Sequence, residues 1–302
     1  MFQFVNTLLI GITAGSIYSL MAISIVLVWR STRVVNFAAG GLALASSFVG
    51  ASVLEKTGSF WIALPVAMVA GAVFSAFIEY FFLRPLLKRS GDKGHEIFLP
   101  IIATLGLLGV IKAILGFIYG DRIGSIPPPL SDKGFIVSGE SIALSPLRVL
   151  ILGIVLTLMI VLTFIFQRTN LGLSLRAASF APEISRLSGI RVDLVRTVGW
   201  AISGAAGATA GVLQTTNGSG SVAPDSFEFI LLLIFGFVAA VIGGIESLIG
   251  AVVGALTLGV ILAIILVYLG SSLVFFAAFV ILILVLLLRP NGIIGVKGGR
   301  RA

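Results

Sequence analysis

The chain has 302 residues, of which 58% are apolar and only 11% charged, with a mean hydropathy of +1.19. An ordinary soluble domain carries about 25% charged residues. This composition excludes a soluble enzyme, a nucleic-acid-binding domain and a disordered chain, and leaves an all-α, polytopic integral membrane protein. There is no cysteine, so disulfides, thiolate metal sites and cysteine nucleophiles are excluded as well, and the single histidine, His95, leaves almost no material for a histidine metal site.

A helix rises about 1.5 Å per residue, so about 20 apolar residues cross a hydrocarbon core of about 30 Å. Charge-free stretches of that size follow one another along the chain. Met1–Trp29 is the first, and it is read as a retained helix because no basic segment precedes it and no clear cleavage site follows. Val34–Leu54, Thr57–Ile78 (its apolar run continuing past Glu79 to Leu83), Ile97–Tyr119 (interrupted only by Lys112) and Val149–Phe166 come next. Thr197–Pro224 turns polar at Thr215–Gly220, so that span ends near there, and Phe229–Ile245 is shorter. Ser247–Leu288 has 42 uncharged residues, about 63 Å as one helix. It therefore makes two spans, broken at Gly270-Ser271-Ser272. The expectation is nine spans in one transmembrane domain covering residues 1–302.

With the N-terminus outside, fifteen of the twenty basic residues fall on the inner side: Arg30 and Arg33, the Arg84–Lys93 cluster, the five arginines from Arg168 to Arg196, and Arg289 to Arg301. Lys56, Arg122, Lys133 and Arg148 fall outside, and Lys112 lies within a span. This bias fits the positive-inside rule and sets the C-terminus in the cytosol.

Thirty-six glycines and the pairs Gly11–Gly15, Gly116–Gly120, Gly207–Gly211 and Gly250–Gly254 predict helices packed through small residues. Glu79 lies near the inner end of its span, five residues before Arg84, and is expected to pair there or snorkel; Lys112 is expected to snorkel outward. Asn36 and Phe37, beside Gly40-Gly41, suit an interrupted helix lining a cavity. Gln214, Thr215, Thr216 and Asn217 offer hydrogen bonds to a polar solute without a fixed charge. Both stretches also suit ordinary helix ends. No phosphate-binding loop G-x-x-x-x-G-K-[ST], nucleophile elbow or intramembrane carboxylate pair occurs, so the chain itself is not expected to be an enzyme.

The inner loop, residues 167–196, is the most informative polar segment. Pro182 suits the first turn of a short helix, Glu183 complements its positive end, and Gly189 stops it. Ile184 and Leu187 then share one face. Such a helix suits a partner at the cytosolic face or a lipid interface.

Five segments together resemble one family. These are Gly11–Leu20, Val35-Asn36-Phe37-Ala38, the run Leu171–Ala178 continuing through Pro182-Glu183 to Ile190, Ala240–Ala251, and the tail Leu288–Gly295. In that order they resemble the permease subunits of ATP-binding-cassette importers for branched-chain amino acids. The resemblance implies a second permease, identical or homologous, two cytosolic ATP-binding subunits and an extracytoplasmic solute-binding protein in a bacterial plasma membrane. It implies no cofactor on this chain, with ATP and magnesium on the partners. It also implies an ATPase-coupling role for Arg176, Ala177, Ala178, Pro182, Glu183, Arg186, Leu187 and Gly189. The outer loop 120–147, with Pro127-Pro128-Pro129, would help seat the solute-binding protein. The sequence departs from the family after Asn36-Phe37-Ala38: in Ala39-Gly40-Gly41, Ala39 stands where the family often has His or Gln and Gly41 where it often has an acidic residue. That leaves a sugar, urea, an amide or an aromatic acid as alternative solutes, and a self-sufficient carrier as a further alternative.

Overall fold

The computed structural model describes residues 2–89, 98–137, 140–289 and 292–293. Lys93 and His95, and Pro290, Asn291 and residues 294–302 of the tail, lie outside the described residues. The helices are α1 (Phe2–Thr32), α2 (Ala39–Thr57), α3 (Phe60–Ile78), a π-helical turn (Glu79–Leu83), α4 (Arg84–Arg89), α5 (Phe98–Tyr119) and α6 (Pro146–Arg168). They continue with α7 (Asn170–Phe180), α8 (Pro182–Leu187), α9 (Val192–Asn217), α10 (Glu228–Gly243), α11 (Leu248–Tyr268) and α12 (Ser272–Leu288). Two short antiparallel ladders accompany them: β1 (Gly124–Ser125) with β4 (Ser221–Val222), and β2 (Ile136–Val137) with β3 (Glu140–Ser141).

Among the described residues, five helices are long and apolar enough to cross a membrane: Phe2–Thr32, Phe60–Leu86, Phe98–Tyr119, Pro146–Arg168 and Leu248–Tyr268. α10 and α12 are apolar but shorter. α2 and α9 fill the other two expected segments. They are richer in Gly, Ala, Ser and Thr than in large apolar residues, and most of their side chains are buried. A helix surrounded by other helices needs no lipid-facing apolar coat. The hydroxyls of Ser46, Ser47, Thr209, Thr215 and Thr216 donate to carbonyls of their own helices, which removes the cost of burying them. The sixth segment starts earlier than expected, at Val192, and takes Asp193 and Arg196 into the helix. The long apolar run does break where expected, with Gly270 at φ 101°.

The chain divides into two units. The first comprises Met1–Val26, Pro128–Leu156 and Ile234–Ala302. There, Gly11 and Gly15 of α1 lie against the α11 backbone at Gly259–Val260 and Ala255–Leu256, while Gly250 and Gly254 of α11 lie against Gly243 and Ala239 of α10. A Cβ on Gly243 would sit 1.9 Å from the Gly250 carbonyl oxygen. Ser247 caps α11 by accepting from the Gly250 N–H at 2.9 Å. The Ala240–Ala251 motif is thus a tight helix–turn–helix closure. At the start of α1, Asn6 holds the loop before α6, accepting from the Ala143 N–H at 2.7 Å and donating to the Ser141 carbonyl at 3.3 Å.

The second unit comprises Leu27–Pro127 and Thr157–Leu233. Its centre is a seam of α2, α3 and α9. Gly71 of α3 meets Gly204 and Ala208 of α9, Gly211 of α9 meets Ala43 and Ser47 of α2, and Gly50 of α2 meets Ala67. Below the seam, Val28, Leu42, Ile78, Leu83 and Trp200 form a buried apolar cluster. Gly116 differs from its sequence expectation, since an added Cβ there meets nothing within 4 Å.

Candidate functional site

Two regions of the second unit carry the sequence-derived candidates. The first is the polypeptide from Thr169 to Thr197. α7, absent from the sequence expectation, starts at Thr169, whose hydroxyl oxygen accepts from the Gly172 N–H at 3.4 Å. Gly172, Leu175 and Ala178 recur at helical spacing and are buried, and the Leu175 side chain meets Gly199 of α9. This cap and the 172/175/178 periodicity were legible in the sequence. Replacing Thr169 with Ala is expected to cost about 1 kcal/mol of α7 stability, read as faster amide exchange in residues 170–174.

α8 forms as its sequence dictates. Pro182 occupies the first turn with Glu183 beside it, and the chain leaves through Gly189 at φ 82°, a conformation that favours glycine. Ser185 is buried, while Ile184 is 66% and Leu187 89% exposed. Phe180 at the end of α7 and Leu173 are exposed too. Arg176, Glu183 and Arg186 are exposed as well, and Ala177 is half-buried. Arg186 pairs with Glu183 at 3.2 Å and with Asp193 at 3.6 Å.

Asp193 leads to a polar cluster that the sequence placed only in part. Glu79, 2% exposed, opens the π-turn. Arg84 grips it in bidentate fashion, Nε to Oε1 at 3.3 Å and Nη2 to Oε2 at 3.0 Å. In an α-helix, five residues advance about 500°, which would leave such a pair about 140° apart. The π-turn closes with the Arg84 N–H donating to the Glu79 carbonyl, and this i to i+5 bond brings the two into line. Arg84 Nη2 also donates to the Asp193 carbonyl at 2.9 Å and to the Thr197 hydroxyl oxygen. Thr197 in turn donates to Glu79 Oε2 at 2.6 Å. The expected pairing of Glu79 and Arg84 is present, and it is fastened to the first turn of α9.

The second region holds the polar stretches. Asn36 lies in the non-helical link between α1 and α2, buried, with its Oδ1 accepting from the Ala38 N–H at 3.0 Å. Phe37 beside it is half-buried. Gly40 and Gly41 lie against the Phe229 carbonyl and the Leu108 side chain, so these small residues serve close packing. Thr215 and Thr216 are buried, with Gln214 and Asn217 half-buried, at the C-terminal end of α9. The contact of Ala43 with Gly211 places Asn36 seven residues to one side of it and Thr215 four to the other, roughly 16 Å apart along the helices. The structure does not bring the two stretches together.

Beyond Asn217, the Gly218 and Gly220 N–H groups cap α9 by donating to Gln214 and Thr215 carbonyls, and β4 pairs with β1, which follows α5. Lys112 reaches the Asp225 carbonyl at 3.4 Å. A cavity of about 960 Å³ adjoins β1 and the end of α2, lined by Phe48, Ser52, Glu55, Lys56, Tyr119 and Arg122 among others. The Phe48 and Tyr119 rings stack at 4.4 Å. Sequence reading missed this cavity because its lining comes from two segments, residues 48–58 and 119–127, far apart in the chain. Among the described residues, no group of acidic or histidine side chains is placed to hold a metal ion.

Comparison with known proteins places these features in a family. Residues 7–288 match the sequence profile of the branched-chain amino acid transport system / permease component. The chain is 30% identical over 298 residues to a protein of Methanocaldococcus jannaschii named as the probable branched-chain amino acid transport permease protein LivH, covering 95% of this chain and 91% of that one. It is 31% identical over 307 residues to the high-affinity branched-chain amino acid transport system permease protein BraD of Pseudomonas aeruginosa, covering 97% and 96%. The LivH permease of Escherichia coli K12 is 27% identical over 303 residues, with the same coverage. The chain therefore belongs to the family of branched-chain amino acid transport permeases, multi-pass membrane proteins of the ABC transporter class.

Proposed function

We propose that this chain is the membrane-spanning permease subunit of an ATP-driven importer for branched-chain or related amino acids. It crosses a bacterial plasma membrane nine times, N-terminus outside and C-terminus in the cytosol. A second permease completes the pathway with it. Two cytosolic ATPases dock on α7 and α8, and an extracytoplasmic solute-binding protein delivers cargo beside the outer loop.

The observation that carries this reading is the exposed apolar face of α8. Ile184 and Leu187 stand out from the chain at a glycine-terminated turn, with the exposed charged side chains of Glu183 and Arg186 on the same short helix. An exposed apolar patch with a polar rim marks an interaction surface. ATP and magnesium belong to the ATPases in this scheme, and this chain contributes the pathway and the lever.

The test is reconstitution. The complete complex in liposomes is expected to take up labelled leucine, isoleucine or valine only with ATP and the binding protein present. Uptake by the purified chain alone would overturn the proposal in favour of a carrier. Competition by sugars, urea or aromatic acids in the same assay ranks the solutes. Topology has its own check, because a cysteine-free chain accepts single reporters. Ser188→Cys is expected to react with a membrane-impermeant maleimide only from the cytosolic side.

A further inference from the structure

Glu79 is a buried carboxylate that the proposed docking at α8 does not use. Removing one partner of a buried ion pair is destabilising, while apolar residues of similar shape are often as stable as the pair itself. Packing alone therefore gives no reason for an ion pair here. The π-turn is a second unusual feature, since π-turns are rare and concentrate at functional sites. The two features depend on each other: the i to i+5 bond aligns Arg84 with Glu79, and conversion of the turn to α geometry would pull the pair apart.

The pair also joins two ends of one contact chain. Toward the cytosolic surface, Arg84 bonds the Asp193 carbonyl, the Asp193 carboxylate pairs with Arg186, and Arg186 pairs with Glu183 of α8. Away from that surface, Glu79 lies four residues from Ser75 and eight from Gly71, which pack on Gly204 of α9. Thr197 closes the link by donating to Glu79 while accepting from Arg84. Every step from α8 to the α3–α9 seam is a direct contact.

We infer that Glu79, Arg84 and Thr197 are positioning residues that transmit displacement of α8 into the α3–α9 seam, with the π-turn as the element that switches between two arrangements. Tension on α8 pulls Asp193 and the first turn of α9. Arg84 and Thr197 hand that pull to Glu79, and the π-turn then relaxes or re-forms. The inference rests on the proposed docking of an ATPase at α8.

The experiment compares Thr197→Val, Glu79→Gln and the double variant in the reconstituted complex, with Ser75→Ala as control. Ser75→Ala removes only a hydroxyl that is buried without a hydrogen-bond partner and keeps the Cβ that packs on Gly204, so it leaves the link in place. Each is measured for retained ATPase subunits, ATP hydrolysis and solute uptake. Thr197→Val and Glu79→Gln are expected to retain the ATPases and to lower uptake per ATP hydrolysed by about three- to thirtyfold. The double variant is expected to be no worse than the stronger single one, because both cut the same link. Uptake per ATP at the unsubstituted level in Thr197→Val, with the ATPases retained, would overturn the inference. So would an equal loss in Ser75→Ala. Should Glu79→Gln fail to assemble, Thr197→Val, which preserves shape and leaves the ion pair in place, decides by itself. Failure of the docking reading is seen separately, as ATPase retained by a Leu187→Asp complex.

Discussion

Leu187→Asp is expected to abolish ATP-dependent uptake by releasing the ATPases, while the membrane helices stay folded. Leu187 is 89% exposed in the free chain, so the substitution removes nothing from the chain's own core. Its effect falls on the complex. Covering a leucine contributes about 1.5–3 kcal/mol, and burying an aspartate in its place adds a desolvation cost. A combined loss of about 3 kcal/mol weakens capture roughly 150-fold. Co-purification of the ATPases through a tag on this chain checks the loss, and an unchanged melting curve for the isolated subunit checks that folding is intact. Glu183→Gln is a milder companion. Its ion pair with Arg186 is exposed, and such pairs contribute little, so the ATPases are expected to remain bound.

Gly204→Ala is expected to unfold the second unit. The added Cβ would lie 2.1 Å from the Gly71 carbonyl oxygen and 2.5 Å from Ser75 Cβ. Backbone cannot move aside as a flexible side chain does, so α3 and α9 must separate along their length. Overpacking of that kind costs about 3 kcal/mol. Helix association in lipid has little hydrophobic drive to offset it. Gly116→Ala is the contrasting case. That glycine sits in α5 with open space around it, so alanine is expected to raise stability by up to about 1 kcal/mol through helix propensity. Thermal unfolding of both variants in detergent should therefore move in opposite directions. Equal shifts would show that glycine content, rather than the particular contact, sets stability.

The pair also shows where sequence patterns stop. Gly250–Gly254 and Gly116–Gly120 have the same small-xxx-small spacing, and only the first is pressed against a neighbouring backbone. Spacing states that a close approach is possible along one helix face. Which face meets another helix depends on how distant segments pack.

The sequence by itself determined the membrane class, the positions of the apolar helices, the break at Gly270, the short helix from Pro182 to its glycine stop, and the family. These follow from charge spacing and local turn chemistry, which act over a few residues. Only the tertiary structure decided that α2 and α9 are interior helices, that Asn36 and Thr215 lie at separate ends of the seam, and that Glu79 is tied to Thr197, 118 residues away. The Glu79–Arg84 pairing shows the division most clearly. A five-residue interval misaligns two side chains on an α-helix, and it becomes a bidentate ion pair because the backbone there takes a π-turn with its polar groups satisfied by the first turn of α9.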